Sequence, residues 1–385
     1  MSLKKSKVLR IVADEKIPFL RGVLEPYAEV VYMPGNLINR DSVMSADALL
    51  IRTRTRCDQS LLKGTAVKFI ATATIGFDHI DAGFCLSENI SWVNAPGCNS
   101  SSVQQYVIAA LLQLANDNKI TLCGKTLGII GAGNVGSKVA SAANLLGMKV
   151  KLNDPPRARI EGNTGFVHLD EILQTSDIIS IHVPLTMAGE DKTFHLFDEA
   201  RFRKIKKGTW LINTSRGEVV ETKAMKEALQ DGFLTGTIVD VWENEPHIDM
   251  ELLRRVTIST PHIAGYSVDG KANGTSQIVR SLSTYFNLPL GTFYPPLLPS
   301  PATPDLFLDG YGKSAEQVVA QAVLHSYPIL EDHGNLQRSP ATFELQRGEY
   351  RVRREFGAYK VKIRNGSSET ISILSGLGFS VQPEG

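Results

Sequence analysis

Cysteine is scarce in this 385-residue chain: Cys57, Cys85, Cys98 and Cys123 are widely spaced and form no CxxC pair. The spacing argues against the disulfide frame of a small secreted domain and against a zinc site, and it favours reduced thiols in a cytoplasmic protein. An excess of charge of one sign is also missing. Lys and Arg total 41 against 40 Asp and Glu, a formal net charge of +1, so no general field attracts nucleic acid or an anionic membrane. The densest basic stretch, RFRKIKK from Arg201 to Lys207, is short and reads as the solvated end of a helix. No apolar run is long enough to cross a bilayer, and the opening MSLKKSKVLRIV lacks the long apolar stretch of a signal peptide. Neither nucleic acid, nor membrane, nor metal is expected as a partner.

What is present points to a globular protein of two or three domains, with 43% hydrophobic and 21% charged residues. From Val8 to Pro96, the apolar runs VLRIVAD, AEVVYM, ADALLIRT, VKFIATATIG and ISWVNAPG alternate with polar or helical stretches. They are too continuous and too β-branched for surface helices and predict a small parallel sheet buried on both faces. SSVQQYVIAALLQLAND then reads as a long helix, with Ser101 and Gln104 as a capping-box pair and Val103, Val107, Leu111 and Leu114 on one face. Beyond it, six further strand-like runs, from TLGIIGAGNVG to VTISTPHIAG, predict a second doubly wound sheet. After a helix through about Phe286, the proline-rich NLPLGTFYPPLLPSPATPDLF excludes helix and inner strand and reads as an extended connector. YKVKI, a short helix and GFSVQ follow as a small α+β unit.

The second sheet opens with a strand that runs straight into Gly131, Ala132, Gly133, Asn134, Val135 and Gly136, then into an apolar helix pattern. In that context GxGxxG is a dinucleotide loop. Gly131 permits the turn, Gly133 admits a pyrophosphate, Gly136 lets helix and strand pack closely, and the helix start offers free N–H groups. Asp154, at the end of the next strand, is spaced to bind the ribose hydroxyls and to repel the extra phosphate of NADP. NAD is the expected cofactor. Three later strand ends carry chemistry: Arg216 in INTSRG, Glu245 in DVWENEP and His262 in TPHIAG. Taken singly, each has an ordinary structural explanation: an ion pair, a loop acid beside Pro246, a core imidazole. Taken together, all three leave the sheet at its carboxyl edge, where open parallel sheets bind ligands.

NTSRG, DVWENEP and TPHIAG following GAGNVG resemble the D-2-hydroxyacid dehydrogenase superfamily. APGCNSSSVQQYV, NDPP and PHIAGYSVDGKANGT are most similar to its branch that oxidises the phosphorylated 2-hydroxy acid 4-phospho-D-erythronate in vitamin B6 synthesis. The resemblance implies catalysis by Arg216, Glu245 and His262. It extends the cofactor contacts to Val183, Thr214, Ser215, Arg216, Asp240 and Gly265, with Asp240 facing the nicotinamide carboxamide. Arg52, Thr53, Thr74, Gly76 and Tyr266 are implied to hold substrate. Gln105 stands where many relatives carry Glu, and Thr53 where they often carry Ser. The expected architecture is a flavodoxin-like substrate domain (1–100 and 268–290), a Rossmann NAD domain (101–267) and an α+β C-terminal dimerisation domain (291–385). The first two would surround a cleft, joined near 97–105 and 265–285. Alternatives are another dehydrogenase of the superfamily, such as one for 3-phosphoglycerate, or a non-enzymatic NAD-sensing corepressor.

Overall fold

The computed structural model describes residues 8–384; the amino-terminal MSLKKSK, on which the expectation of no signal peptide partly rests, lies outside them. They fall into two compact units, one of residues up to Asn99 with Val268–Pro299, the other of Ser100–Ser267 with residues from Ser300 onward.

The first unit is built on β1 (Arg10–Asp14), β2 (Glu29–Met33), β3 (Ala48–Ile51), β4 (Phe69–Thr72) and β5 (Ser91–Val93). They pair in parallel in the flavodoxin-like order β2-β1-β3-β4-β5. Successive side chains of a strand face opposite sides, so a strand covered on both faces must be apolar throughout. Val12, Leu49, Ile51 and Ile70 enter one cluster, while Ile11, Ala13, Leu50 and Ala71 enter another with Ile278, Val279 and Leu282. The last three come from the helix Val268–Phe286, by which the chain re-enters this unit.

The second unit contains β6 (Thr126–Ile130), β7 (Lys149–Asn153), β8 (Ile178–Ile181), β9 (Thr209–Asn213), β10 (Leu234–Val239) and β11 (Ile258–Ser259). These are parallel in the order β11-β10-β9-β8-β6-β7, so the winding reverses between β6 and β8. Residues 287–304 form no helix or strand, as the prolines require. A third sheet follows, with β12 (Asp305–Asp309), β13 (Lys360–Arg364) and β14 (Ser380–Glu384) in that order. Its strands are parallel, because helices carry the crossovers between them.

In the long helix, Ser100–Asn118, Val103, Val107, Leu111 and Leu114 are all buried, and burial extends over almost the whole circumference, because Val319, Val323, Tyr327 and Phe356 of the C-terminal segment share a core with Tyr106, Leu111 and Val139. The expected capping box is corrected: Ser101 lies inside the first turn, where its hydroxyl accepts a hydrogen bond from Lys138 Nζ at 2.6 Å and forms no capping box. Gln105 points into the same core and donates to the Arg354 carbonyl at 3.0 Å. The amide avoids burying a charge, although its own Oε1 is buried with no hydrogen-bond partner. Among the described residues, no helix is long and apolar enough to cross a membrane.

Candidate active site

The winding reversal places two loops side by side. Gly131 leaves β6 with φ +89°. A Cβ there would lie 2.7 Å from the His182 carbonyl and 2.9 Å from Val183 Cγ1, so only glycine lets the loop pass the end of β8. A Cβ at Gly136 would lie 2.0 Å from Gly131 O. At Gly133 a Cβ would meet nothing within 4 Å, so the protein's own packing makes no demand for glycine. Close approach of a pyrophosphate does make that demand. Asn134 and Val135 begin the helix Asn134–Leu145, whose start carries no side-chain cap and can receive an anion. Asp154 Oδ2 accepts from the Ala132 N–H at 2.9 Å and Oδ1 from the Arg157 N–H at 3.1 Å, which sets the carboxylate against the glycine loop. These residues fit a dinucleotide. Gly136→Ala is expected to weaken NAD binding about tenfold or more by forcing the loop outward. Calorimetric titration reads this directly, and an unchanged affinity would show that the loop absorbs a Cβ.

The side chain of Asn213 shapes the loop after β9. It accepts from the Ser215 N–H and hydroxyl at 3.1 and 2.9 Å and donates to the Arg216 carbonyl at 3.0 Å. Arg216 Nη1 donates to the Ser215 carbonyl at 2.8 Å, and Thr214 Oγ1 lies 3.3 Å from His182 Nδ1. His182 also meets Ser180 Oγ through Nε2 at 2.9 Å, and burial lowers its pKa, which keeps the ring neutral. A Cβ at Gly217 would lie 2.0 Å from the Trp242 carbonyl carbon, so this glycine brings the Arg216 loop onto the loop after β10.

Trp242 in turn organises the acid. Its N–H donates to Glu245 Oε1 at 2.9 Å, and its indole donates to the Thr260 carbonyl at 3.0 Å. Glu245 Oε2 is 2.7 Å from His262 Nδ1. Burial pushes the Glu245 carboxyl upward, but the hydrogen bond and charge of His262, the Trp242 N–H and the nearby Arg347 outweigh it and hold the pKa low. A carboxylate fixed on Nδ1 leaves Nε2 as the working atom of the ring. His262 takes the left-handed φ of +56°, held by its N–H to the Asp240 carbonyl at 2.7 Å. Asp240 is fully buried, and its carboxylate accepts from Thr260 Oγ1, Ile263 N and Ala264 N at 2.6, 2.8 and 3.0 Å. The side chain expected to face the carboxamide thus holds the histidine loop in shape.

That loop is also held from a direction in which the sequence carries no motif. Ser102 Oγ donates to the Ala264 carbonyl at 2.9 Å, and buried Arg353 donates to the same oxygen. The Ser267 hydroxyl donates to Glu355 at 2.8 Å. Between them lie half-buried Gly265 and Tyr266, the latter edge-on to Tyr350 with ring centroids 6.0 Å apart. The adjoining sequence signals were present for His182 and Trp242, which flank strand ends in IHVPL and DVWENEP, but Arg347, Arg353 and Glu355 had none.

In the first unit, Arg52 is half-buried after β3 and donates to the Lys16 carbonyl at 3.3 Å, while Thr53 is exposed in the turn. Thr74 Oγ1 meets Thr72 Oγ1 at 2.7 Å and donates to the Gly76 carbonyl at 3.0 Å, so the TATIG loop is closed on itself. Among the described residues, no cluster of His, Cys, Asp or Glu could hold a metal ion.

Residues 104–264 match the family described as D-isomer specific 2-hydroxyacid dehydrogenase, NAD binding domain. The D-lactate dehydrogenase of Aquifex aeolicus, solved with NAD and lactic acid, is similar with a TM-score of 0.60 at 27% identity, over 72% of this chain and 95% of that one. Fold, glycine loop and imidazole–carboxylate pair together define an NAD-dependent dehydrogenase of the D-isomer-specific 2-hydroxyacid class. Erythronate-4-phosphate dehydrogenase of Bacteroides fragilis is 48% identical over 356 residues, 92% of this chain and 99% of that protein. Its counterpart in Pseudomonas syringae pv. tomato is 38% identical over 378 residues, 96% and 99% of the two chains. The chain belongs to the erythronate-4-phosphate dehydrogenase family.

Proposed function

We propose that the chain oxidises 4-phospho-D-erythronate to (R)-3-hydroxy-2-oxo-4-phosphooxybutanoate with NAD, a step of vitamin B6 synthesis. The observation that carries this reading is the 2.7 Å pair of His262 and Glu245 at the carboxyl edge of the dinucleotide-binding sheet. Oxidation of a secondary alcohol needs a base for the hydroxyl proton. Bound NAD supplies the hydride acceptor. His262 Nε2 takes the proton, and Glu245 orients the ring and stabilises the imidazolium that forms. Arg216 clamps the substrate carboxylate with its planar fork and polarises the nascent carbonyl. Thr74 and Gly76 serve the same carboxylate, while Arg52, Thr53 and Tyr266 contact the rest of the substrate. Gly131, Gly133, Asn134, Val135, Gly136 and Asp154 hold the dinucleotide, with Val183, Thr214, Ser215 and Gly265 lining its nicotinamide end. Asp240 serves this end by fixing residues 260–264. A sensor of NAD would have no need for the acid–base pair, which favours an enzyme over a corepressor. Assaying 4-phospho-D-erythronate beside 3-phosphoglycerate tests the substrate: a higher kcat/KM is expected for the former, and the reverse order would overturn the reading.

We assign substrate binding to the first unit, NAD binding to Ser100–Ser267 and dimerisation to the segment after the connector, with the protein acting as a cytoplasmic homodimer. The wide spacing of the four cysteines, with no CxxC pair, supports a reducing compartment. NAD is expected to be preferred over NADP. Asp154→Ala is expected to narrow that preference by removing both the ribose acceptor and the repulsion of a 2′-phosphate. Affinity for NAD should fall as well, since the Ala132 N–H loses its partner. Equal use of both cofactors by the unaltered protein would contradict the assignment.

A further inference from the structure

Arg347 lies in the C-terminal helix Phe343–Gly348, outside every motif of the dehydrogenase domain. Its side chain is only 21% exposed. The guanidinium carbon lies 5.8 Å from the ring centre of Tyr266 and equally far from that of Phe343. Nη1 pairs with Glu344 at 3.0 Å, but Nε is buried and has no hydrogen-bond partner. An orphaned buried donor on a cation is costly, so the arrangement calls for an acceptor. Its charge is among the influences that hold the Glu245 carboxyl low. An anionic group of a bound ligand would supply that acceptor. The substrate proposed above carries such an anion at the end remote from Arg216.

We infer that Arg347, with Tyr266 beside it, binds the phosphate of the substrate, so that the C-terminal segment supplies the residue that selects a phosphorylated acid. The inference rests on the function proposed above. A phosphate monoester matches the planar fork of arginine. The ion pair to Glu344, whose side chain is 38% exposed, is weak enough to be exchanged for it.

The test compares the unaltered protein with Arg347→Met and Arg347→Lys, each shown to bind NAD, using 4-phospho-D-erythronate and unphosphorylated D-erythronate. Loss of charge-assisted hydrogen bonds to the phosphate is expected to cut the kcat/KM preference for the phosphorylated acid by about 10- to 100-fold in Arg347→Met, mainly through KM. Arg347→Lys keeps the charge without the fork and should fall between. An unaltered preference, or an equal loss on both acids, would overturn the inference. A second readout separates it from the parent reading: inorganic phosphate should bind the NAD complex of the unaltered protein and bind Arg347→Met at least tenfold more weakly. If neither acid is turned over but this difference is found, the proposed substrate fails and the anion site stands. If 4-phospho-D-erythronate is turned over but phosphate binding does not depend on Arg347, the site fails and the function stands.

Discussion

His262→Ala is expected to lower turnover of the 2-hydroxy acid by about 10²- to 10⁴-fold, the usual contribution of a positioned general base. NAD should still bind with nearly unaltered affinity. The two effects separate because the ring is held by Glu245 and by the Asp240 carbonyl, whereas the dinucleotide loop is built from Gly131 to Gly136 and Asp154 on other strand ends. Alanine keeps the His262 N–H that ties the loop to Asp240, so the loop itself should survive. Steady-state rates together with calorimetric NAD binding check both halves. A loss of less than tenfold would show that the imidazole does not move the proton; a parallel loss of NAD affinity would show a structural role.

Glu245→Gln is expected to lower turnover about 10²-fold and to move both pH profiles. The side chain keeps its shape, but the carboxylate that favours the protonated ring is gone. In the unaltered protein the Glu245 carboxyl is held low despite burial, by His262, the Trp242 N–H and Arg347, so it is ionised at neutral pH. Without that charge the imidazolium gives up its proton more readily. Reduction of the 2-oxo acid needs the protonated ring, so its alkaline limb should move to lower pH. Oxidation needs the neutral ring, so its rise should also begin at lower pH. Profiles recorded in both directions check the sign. Unmoved profiles would mean that the pair at 2.7 Å is not coupled in turnover.

Much of this site was legible because its residues sit at strand ends, where local sequence fixes position. A continuous apolar strand such as TLGII followed by GAGNVG can turn in few ways, and the carboxyl edge of a parallel sheet collects the loop residues that leave each strand. Glu245 and His262 stand 17 positions apart, yet the two strand ends bring them into contact. The rear wall was not legible. Arg347, Arg353 and Glu355 come from short helices and loops with no period or motif, and only tertiary packing brings them to residues 264–267. The same packing explains why the helix Ser100–Asn118 is buried all round, a burial that an apolar stripe cannot announce when the covering residues lie some 200 positions later. For Asp240, the strand-end position was visible but the three donors that occupy its carboxylate were not.

The measurement that bears most directly on the proposed function mixes purified protein, NAD and 4-phospho-D-erythronate, and follows the absorbance of reduced nicotinamide while the product is identified by mass. Formation of reduced cofactor in step with (R)-3-hydroxy-2-oxo-4-phosphooxybutanoate is the expected result, and it should be lost in His262→Ala. If a folded, NAD-binding protein gives neither reduced cofactor nor the 2-oxo acid, the proposed reaction is contradicted.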